Sequence, residues 1–417
     1  MPDFVDLLRH NTNFRRVWLA QLISEIGDNF NNVAVFGLAM DKTGSGLVVS
    51  GVMLARAIPA ALAGPVAGVV LDRMDRKRIM VASDLFRAMV ALAFLLTINY
   101  RGNWLLYTLS ALLMFASPFF TSGRAAILPS ITSERELHAA NSLLQTTQWA
   151  TLTAGTILGG LSAARLGYQS AFLLNGLSFI FSAAAIARLR VPQNPCRSER
   201  PEENVLRPWH DYREGLQYMR SVPLVLGIGL ISVGWALGGG AAQILFALFG
   251  EQVFKRGAEG IGTIWGFAGI GLLAGGAIGH LAGRRLDFSG YKRAVTISYL
   301  VHGVAYAVFS RMESYGAALF FIMLSRVGMA VVSVLNNYQL LRWTPDEFRG
   351  RVFGTLESMR WATMMFSMAA AGLASAYFSP RAIGVVAGLL GVVTALAWGW
   401  YDWRGRLPEP SGSSSAR

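Results

Sequence analysis

The chain has a single cysteine, Cys196, among 417 residues. One cysteine excludes an internal disulfide framework and any cysteine-rich metal site. Charged residues are only 15% of the total, where soluble globular domains carry about a quarter. Histidine is also scarce: five residues, scattered and without metal-ligand spacing, so no metal is expected. A membrane-embedded enzyme needs His, Asp or Ser converging at one membrane face, and the sequence offers no such cluster. No Gly-x-x-x-x-Gly-Lys-Ser/Thr loop is present, so the chain is expected neither to hydrolyse ATP nor to need a cofactor. The N-terminal "MPDFVDLLRHNTNFRRVW" contains acids and no small-residue cleavage site, and no cleaved signal is expected.

What the chain has in abundance is apolar length. Hydrophobic residues make up 53%, and the mean hydropathy is +0.42. They fall in runs of roughly 18 to 25 residues, the helical length that crosses about 30 Å of hydrocarbon. Twelve spans are predicted, at 14–40, 46–71, 79–98, 102–127, 138–164, 167–189, 222–248, 258–283, 291–310, 314–340, 350–378 and 381–402. The expectation is an all-α membrane protein. The 45 glycines suit close packing of membrane helices.

Lysine and arginine separate by side. The N-terminus, the even-numbered loops and the C-terminus hold 25 of the 37, against 7 in the odd-numbered loops. The positive-inside rule then places both termini in the cytoplasm, in a plasma (inner) membrane. The net charge of +13 is read as a topology signal, and no nucleic-acid partner is expected. A proline- and arginine-rich stretch divides the spans six and six. The expected domains are an N-terminal bundle at 1–192, a cytoplasmic linker at 193–221 with an amphipathic helix in "WHDYREGLQYMR" lying on the membrane surface, a C-terminal bundle at 222–405, and a disordered cytoplasmic tail at 406–417.

The halves also repeat. "LLQTTQWAT" aligns with "TLESMRWAT" 212 residues later, matching Trp149 with Trp361, Thr151 with Thr363 and Gln145 with Glu357. "GPVAGVVLDR" likewise echoes "GGAIGHLAGR". Parallel six-span repeats indicate a carrier built of two bundles.

"GPVAGVVLDRMDRKRIM", between spans 2 and 3, carries Gly68, Asp72, Arg73, Arg76 and Lys77. This resembles the loop signature of the major facilitator superfamily. "DKTGSGLVVSGV" and "ILPSITSERELHAANSL" resemble the branch of macrolide efflux proteins and the enterobactin exporter. Span 5 holds "AGTILGG", where Gly155, Gly159 and Gly160 match an antiporter pattern whose proline is replaced here by Thr156. The resemblance implies two pseudo-symmetric six-helix bundles, alternating access and export. It also implies that Asp72 engages the start of span 11 as a gating clasp; a merely solvated loop is the other reading. The span-4 Arg-x-x-Gln-Gly pattern of many proton-coupled antiporters is absent, and Gly283 stands where Asp72 would repeat.

Within span 1, Gln21, Glu25, Asp28, Asn29 and Asn32 fall inside an arc of about 100° on a helix. An ionised carboxylate at that depth costs about 2.5–3.5 kcal/mol on insertion scales. The row is therefore expected to face a water-filled cleft, where Glu25 or Asp28 couples the movement of a proton or of a cationic substrate and Asn29 and Asn32 serve as neutral hydrogen-bonding groups. The bland alternative has Asp28 pairing with an arginine such as Arg56. Arg326 and Glu357 are further candidates for substrate or coupling; Glu357 and Arg360, one turn apart, can instead satisfy each other. Asp84, Arg87 and Arg124 are placed near the cytoplasmic ends, as a gating cluster or as structure. His280 and His302 are read as packing, and Trp149, Trp235, Trp265 and Trp361 as packing or cavity lining.

The expectation is thus a monomeric secondary transporter that exports a drug-, macrolide- or siderophore-like molecule in exchange for protons, with membrane lipids as neighbours. A lysophospholipid-like substrate is the alternative.

Overall fold

The computed structural model describes residues 4–100, 102–190 and 208–410. The side chain of Asp72 falls outside that description, as do Cys196 and most of the linker preceding residue 208. Among the described residues the regular structure is helical, in the order α1 (Phe4–His10), α2 (Thr12–Thr43), α3 (Gly46–Arg73), α4 (Arg76–Ala93), α5 (Leu95–Asn99), α6 (Trp104–Ile131), α7 (Glu134–Leu166), α8 (Tyr168–Ala187), α9 (Pro208–Ser221), α10 (Pro223–Leu248), α11 (Gly257–Gly283), α12 (Phe288–Arg311), α13 (Tyr315–Trp343), α14 (Asp346–Ala374) and α15 (Pro380–Trp403). The long helices occupy the expected spans. The third is interrupted at Phe94, where α5 takes over, and α10 ends in a π turn over Phe249–Val253. The break at Phe94 carries no glycine or proline, so composition does not mark it, whereas the π turn contains Gly250.

Among the described residues, eight spans are long and apolar enough to cross a membrane by length and composition alone. The long helices outside that set are α2, α7, α12 and α14. They are the helices whose apolar runs are broken by polar and charged residues, among them Glu25, Asp28 and Glu357.

Side chains fix the helix ends. Asn11 accepts from the Phe14 amide (2.9 Å) to cap α2 and donates to the Ile131 carbonyl (2.7 Å) at the end of α6. Gly44, at φ +60°, closes α2 in the left-handed conformation that glycine adopts without a Cβ clash. Asp75 caps α4 and Asp287 caps α12.

The chain clusters into two compact units. The first comprises 1–194 with 244–269. In it α2 packs on α7 and α8, α4 on α6 and α8, and α3 on α6. Phe14, Val17, Met80, Phe120 and Ile186 lie in one core cluster. Residues 244–269 belong to this unit: Gln252 donates its amide to the Gly44 carbonyl (2.6 Å), and α11 packs on α7 where Ala258 and Gly262 meet Gly160. The second comprises 195–243 with 270–417. Here α12 packs on α13 and α15 around Tyr291, Val295 and Trp398.

Helix α9 is the short amphipathic segment ahead of the second set of spans. Its amphipathic face packs on α14: Tyr218 stacks on Phe348 (centroids 4.9 Å apart), and Glu214 pairs with Arg351 at 3.0 Å. Residues 406–410, expected to be disordered, are held. Leu407 is only 2% exposed within the core cluster, and its carbonyl accepts from Lys292 at 3.2 Å. A leucine that completes an apolar core removes the freedom a polar tail would otherwise keep. Residues 411–417 lie outside the described chain.

Candidate functional site

The polar row of α2 faces into the first unit. Glu25 collects three donors from three elements: the Gln21 amide (2.8 Å), the Thr151 hydroxyl on α7 (2.8 Å) and the Arg124 guanidinium on α6 (3.4 Å). Asp28 is less well satisfied. Its Oδ2 lies 3.8 Å from Arg87 on α4, and its buried Oδ1 accepts no hydrogen bond. The two acids, with Asn29, Gln148, Trp149, Thr151 and Leu152, line a cavity of about 260 Å³.

Arg87 ties this cavity to a deeper network. Its guanidinium bonds Asp84, which is fully buried and also accepts from the Ser182 hydroxyl at 2.5 Å. The same guanidinium lies over the rings of Phe179 (4.3 Å) and Phe120 (4.8 Å). Arg87 is thereby shared, tightly with Asp84 and loosely with Asp28. On α3, Arg56 donates to the Asn32 carbonyl oxygen. Three acids (Glu25, Asp28, Asp84) and three guanidiniums (Arg56, Arg87, Arg124) make a cluster with zero formal charge. In a low-dielectric setting one added proton or cation then changes its electrostatics sharply.

Asn29 is committed elsewhere. Its amide donates to the Glu25 carbonyl (2.8 Å) and the Thr151 carbonyl (3.1 Å), so it ties α2 to α7. The antiporter-like glycines form the other half of that seam. A Cβ on Gly155 would stand 2.9 Å from the Asn29 Cβ. One on Gly159 would stand 2.8 Å from the Phe30 Cα, and one on Gly160 2.7 Å from the Ala258 carbonyl oxygen on α11. Backbone cannot retreat as a flexible side chain can. Gly159→Leu is therefore expected to lower stability by about 1–3 kcal/mol through overpacking. The check is a thermal midpoint in detergent, with Gly68→Ala unchanged beside it, because nothing lies within 4 Å of a Cβ at Gly68.

The loop-motif cations meet carbonyls near helix ends, where positive charge is favoured. Arg76 donates to Ala126 (2.8 Å) on α6, and Lys77 to Leu189 (2.9 Å) just past α8; Arg73 is exposed. In the second unit, buried Arg326 contacts the Met329 sulfur (3.4 Å) and lies 5.8 Å from the Tyr306 ring. His302 bonds Ser325. Glu357 accepts from Arg360 (2.5 Å) and from the Trp361 indole (2.8 Å), so it is satisfied within its own helix. The repeat partners Trp149 and Trp361 share similar exposure, 37% and 40%.

The structure thus brings Glu25 and Asp28 together with Arg87, Asp84 and Arg124. The sequence alone does not link those three to α2. The i,i+3 spacing of Asp84 and Arg87 was the available signal that they pair.

The profile of the Major Facilitator Superfamily matches residues 17–287 and 267–417. The chain is 28% identical over 405 residues to the uncharacterized MFS-type transporter YfiS of Bacillus subtilis (strain 168), covering 94% of this chain and 93% of that one. It is 23% identical to macrolide efflux protein A of Streptococcus pyogenes, covering 89% and 90%. In fold it resembles a bacterial homologue of the iron transporter ferroportin solved in an inward-facing state, with a TM-score of 0.68 at 20% identity, covering 94% and 99%.

Proposed function

The chain belongs to the major facilitator superfamily, and from that premise we propose that it exports a hydrophobic or amphipathic small molecule in exchange for protons. It is a multi-pass membrane transporter and not an enzyme. The likeness to macrolide efflux protein A supports export. The observation that carries proton exchange is the Glu25–Asp28 cavity, above all the buried Asp28 oxygen left without a donor. A proton on that carboxylate removes its poorly compensated negative charge and leaves Arg87 wholly to Asp84. A proton and a substrate then compete for one neutral cluster, which is the logic of antiport.

In this reading the two bundles, 1–192 and 222–405, alternate access to the site. The protein sits in the plasma membrane with both termini cytoplasmic, as the lysine and arginine asymmetry supports. Asp72 acts as a clasp on the start of α14, and Asn32 and Arg326 tune the substrate path, whereas Glu357 is held within its own helix.

The test is reconstitution into liposomes with an acidic lumen and a panel of macrolides and cationic or neutral amphipaths outside. Several-fold accumulation that collapses with a protonophore is expected for at least one class. Accumulation driven instead by an alkaline lumen indicates symport and overturns the exchange.

A further inference from the structure

In the second unit a groove of about 400 Å³ opens between the first turns of α10 and the last turns of α15. Its walls are apolar, formed by residues such as Leu226, Leu230, Val393 and Ala397, with Tyr401 and Arg406 also on its lining. That end is rigidly built. Gly405, at φ +66°, turns the chain, the Arg406 amide donates to the Tyr401 carbonyl (3.0 Å), and Leu407 plugs into the core. Arg406 is thereby held over Trp400 (5.8 Å) and Tyr401 (5.7 Å), and Arg404 over Trp400 (4.9 Å) and Trp403 (5.9 Å). The nearby acids are taken: Asp402 pairs with Lys292 at 2.5 Å, and Glu409 with Arg342 at 3.7 Å. Arg404 and Arg406 are exposed and form no ion pair among the described residues.

We propose that this groove binds an acyl chain of an anionic phospholipid, with the lipid phosphate held by Arg404 and Arg406. The chemistry matches at both ends. An apolar channel at the end of a membrane helix suits a hydrocarbon chain, and tryptophan and tyrosine mark the headgroup level. Paired guanidiniums with no carboxylate suit a phosphate diester, which accepts hydrogen bonds from a planar fork. The remaining C-terminal residues, "SGSSSAR", are polar and carry an arginine, so the chain's own tail has the wrong chemistry for this groove. The site is independent of the export reading.

The full-length protein in mild detergent, offered phosphatidylglycerol or phosphatidylcholine with identical chains, tests it by native mass spectrometry. One phosphatidylglycerol per chain is expected to be retained roughly tenfold or more over phosphatidylcholine. The double variant Arg404→Gln, Arg406→Gln removes that preference while its lipid-free unfolding midpoint stays that of the wild type. Ala397→Trp, which fills the groove and keeps both arginines, removes retention of both lipids. Equal retention of the two lipids by the wild type overturns the proposal. So does unchanged selective retention by Ala397→Trp.

Discussion

The double variant Glu25→Gln, Asp28→Asn is expected to reach the membrane folded yet accumulate no substrate against a gradient. One pH unit corresponds to about 1.4 kcal/mol per proton, so a one-for-one exchange sustains about tenfold accumulation per unit of ΔpH. The wild type approaches that ratio in acid-lumen liposomes; the double variant stays at unity and still exchanges substrate down its gradient. The single variants separate the roles. Glu25 already holds three donors, whereas Asp28 has a vacant buried oxygen. Asp28→Asn should therefore lose most of the pH-driven ratio and Glu25→Gln the smaller share. A double variant that accumulates as the wild type does would remove both acids from coupling.

Arg87→Met is expected to be the most destabilising single change in the first unit. It leaves Asp84, which has no exposure to solvent, without its cation. Breaking a buried pair by removing one partner costs about 3–5 kcal/mol. Met fits between Phe120 and Phe179, so lost packing contributes little. Adding Asp84→Asn should recover most of the loss, because a neutral amide can keep the Ser182 contact without an unpaired charge. Thermal midpoints of the two singles and the double in one detergent close the cycle. An Arg87→Met midpoint equal to the wild type would show that the pair contributes nothing to folding.

Much of this was legible in the sequence. Apolar runs located the long helices, and the helical phase of Gln21, Glu25, Asp28, Asn29 and Asn32 put them on one face. What could not be read was which neighbour each residue meets. Asn29 has the look of a ligand, yet its amide is spent on two carbonyls, because the glycines of α7 let that helix approach. Arg87 lies 59 positions from Asp28, and no periodicity links residues on different helices. Glu357 was readable both ways, and the local option, Arg360 one turn on, is the one the helix adopts. Leu407 was lost to its polar surroundings: a lone leucine beyond the last span carries no pattern, only a destination.

The four less apolar long helices bear on how the protein is made. A first span carrying Glu25 and Asp28 partitions weakly into lipid on its own, and its countercharges, Arg56, Arg87 and Arg124, emerge from the ribosome only with α3, α4 and α6. Secure lodging of the first span therefore follows synthesis of at least the sixth helix, making biogenesis of this half a delayed, collective event rather than a helix-by-helix one.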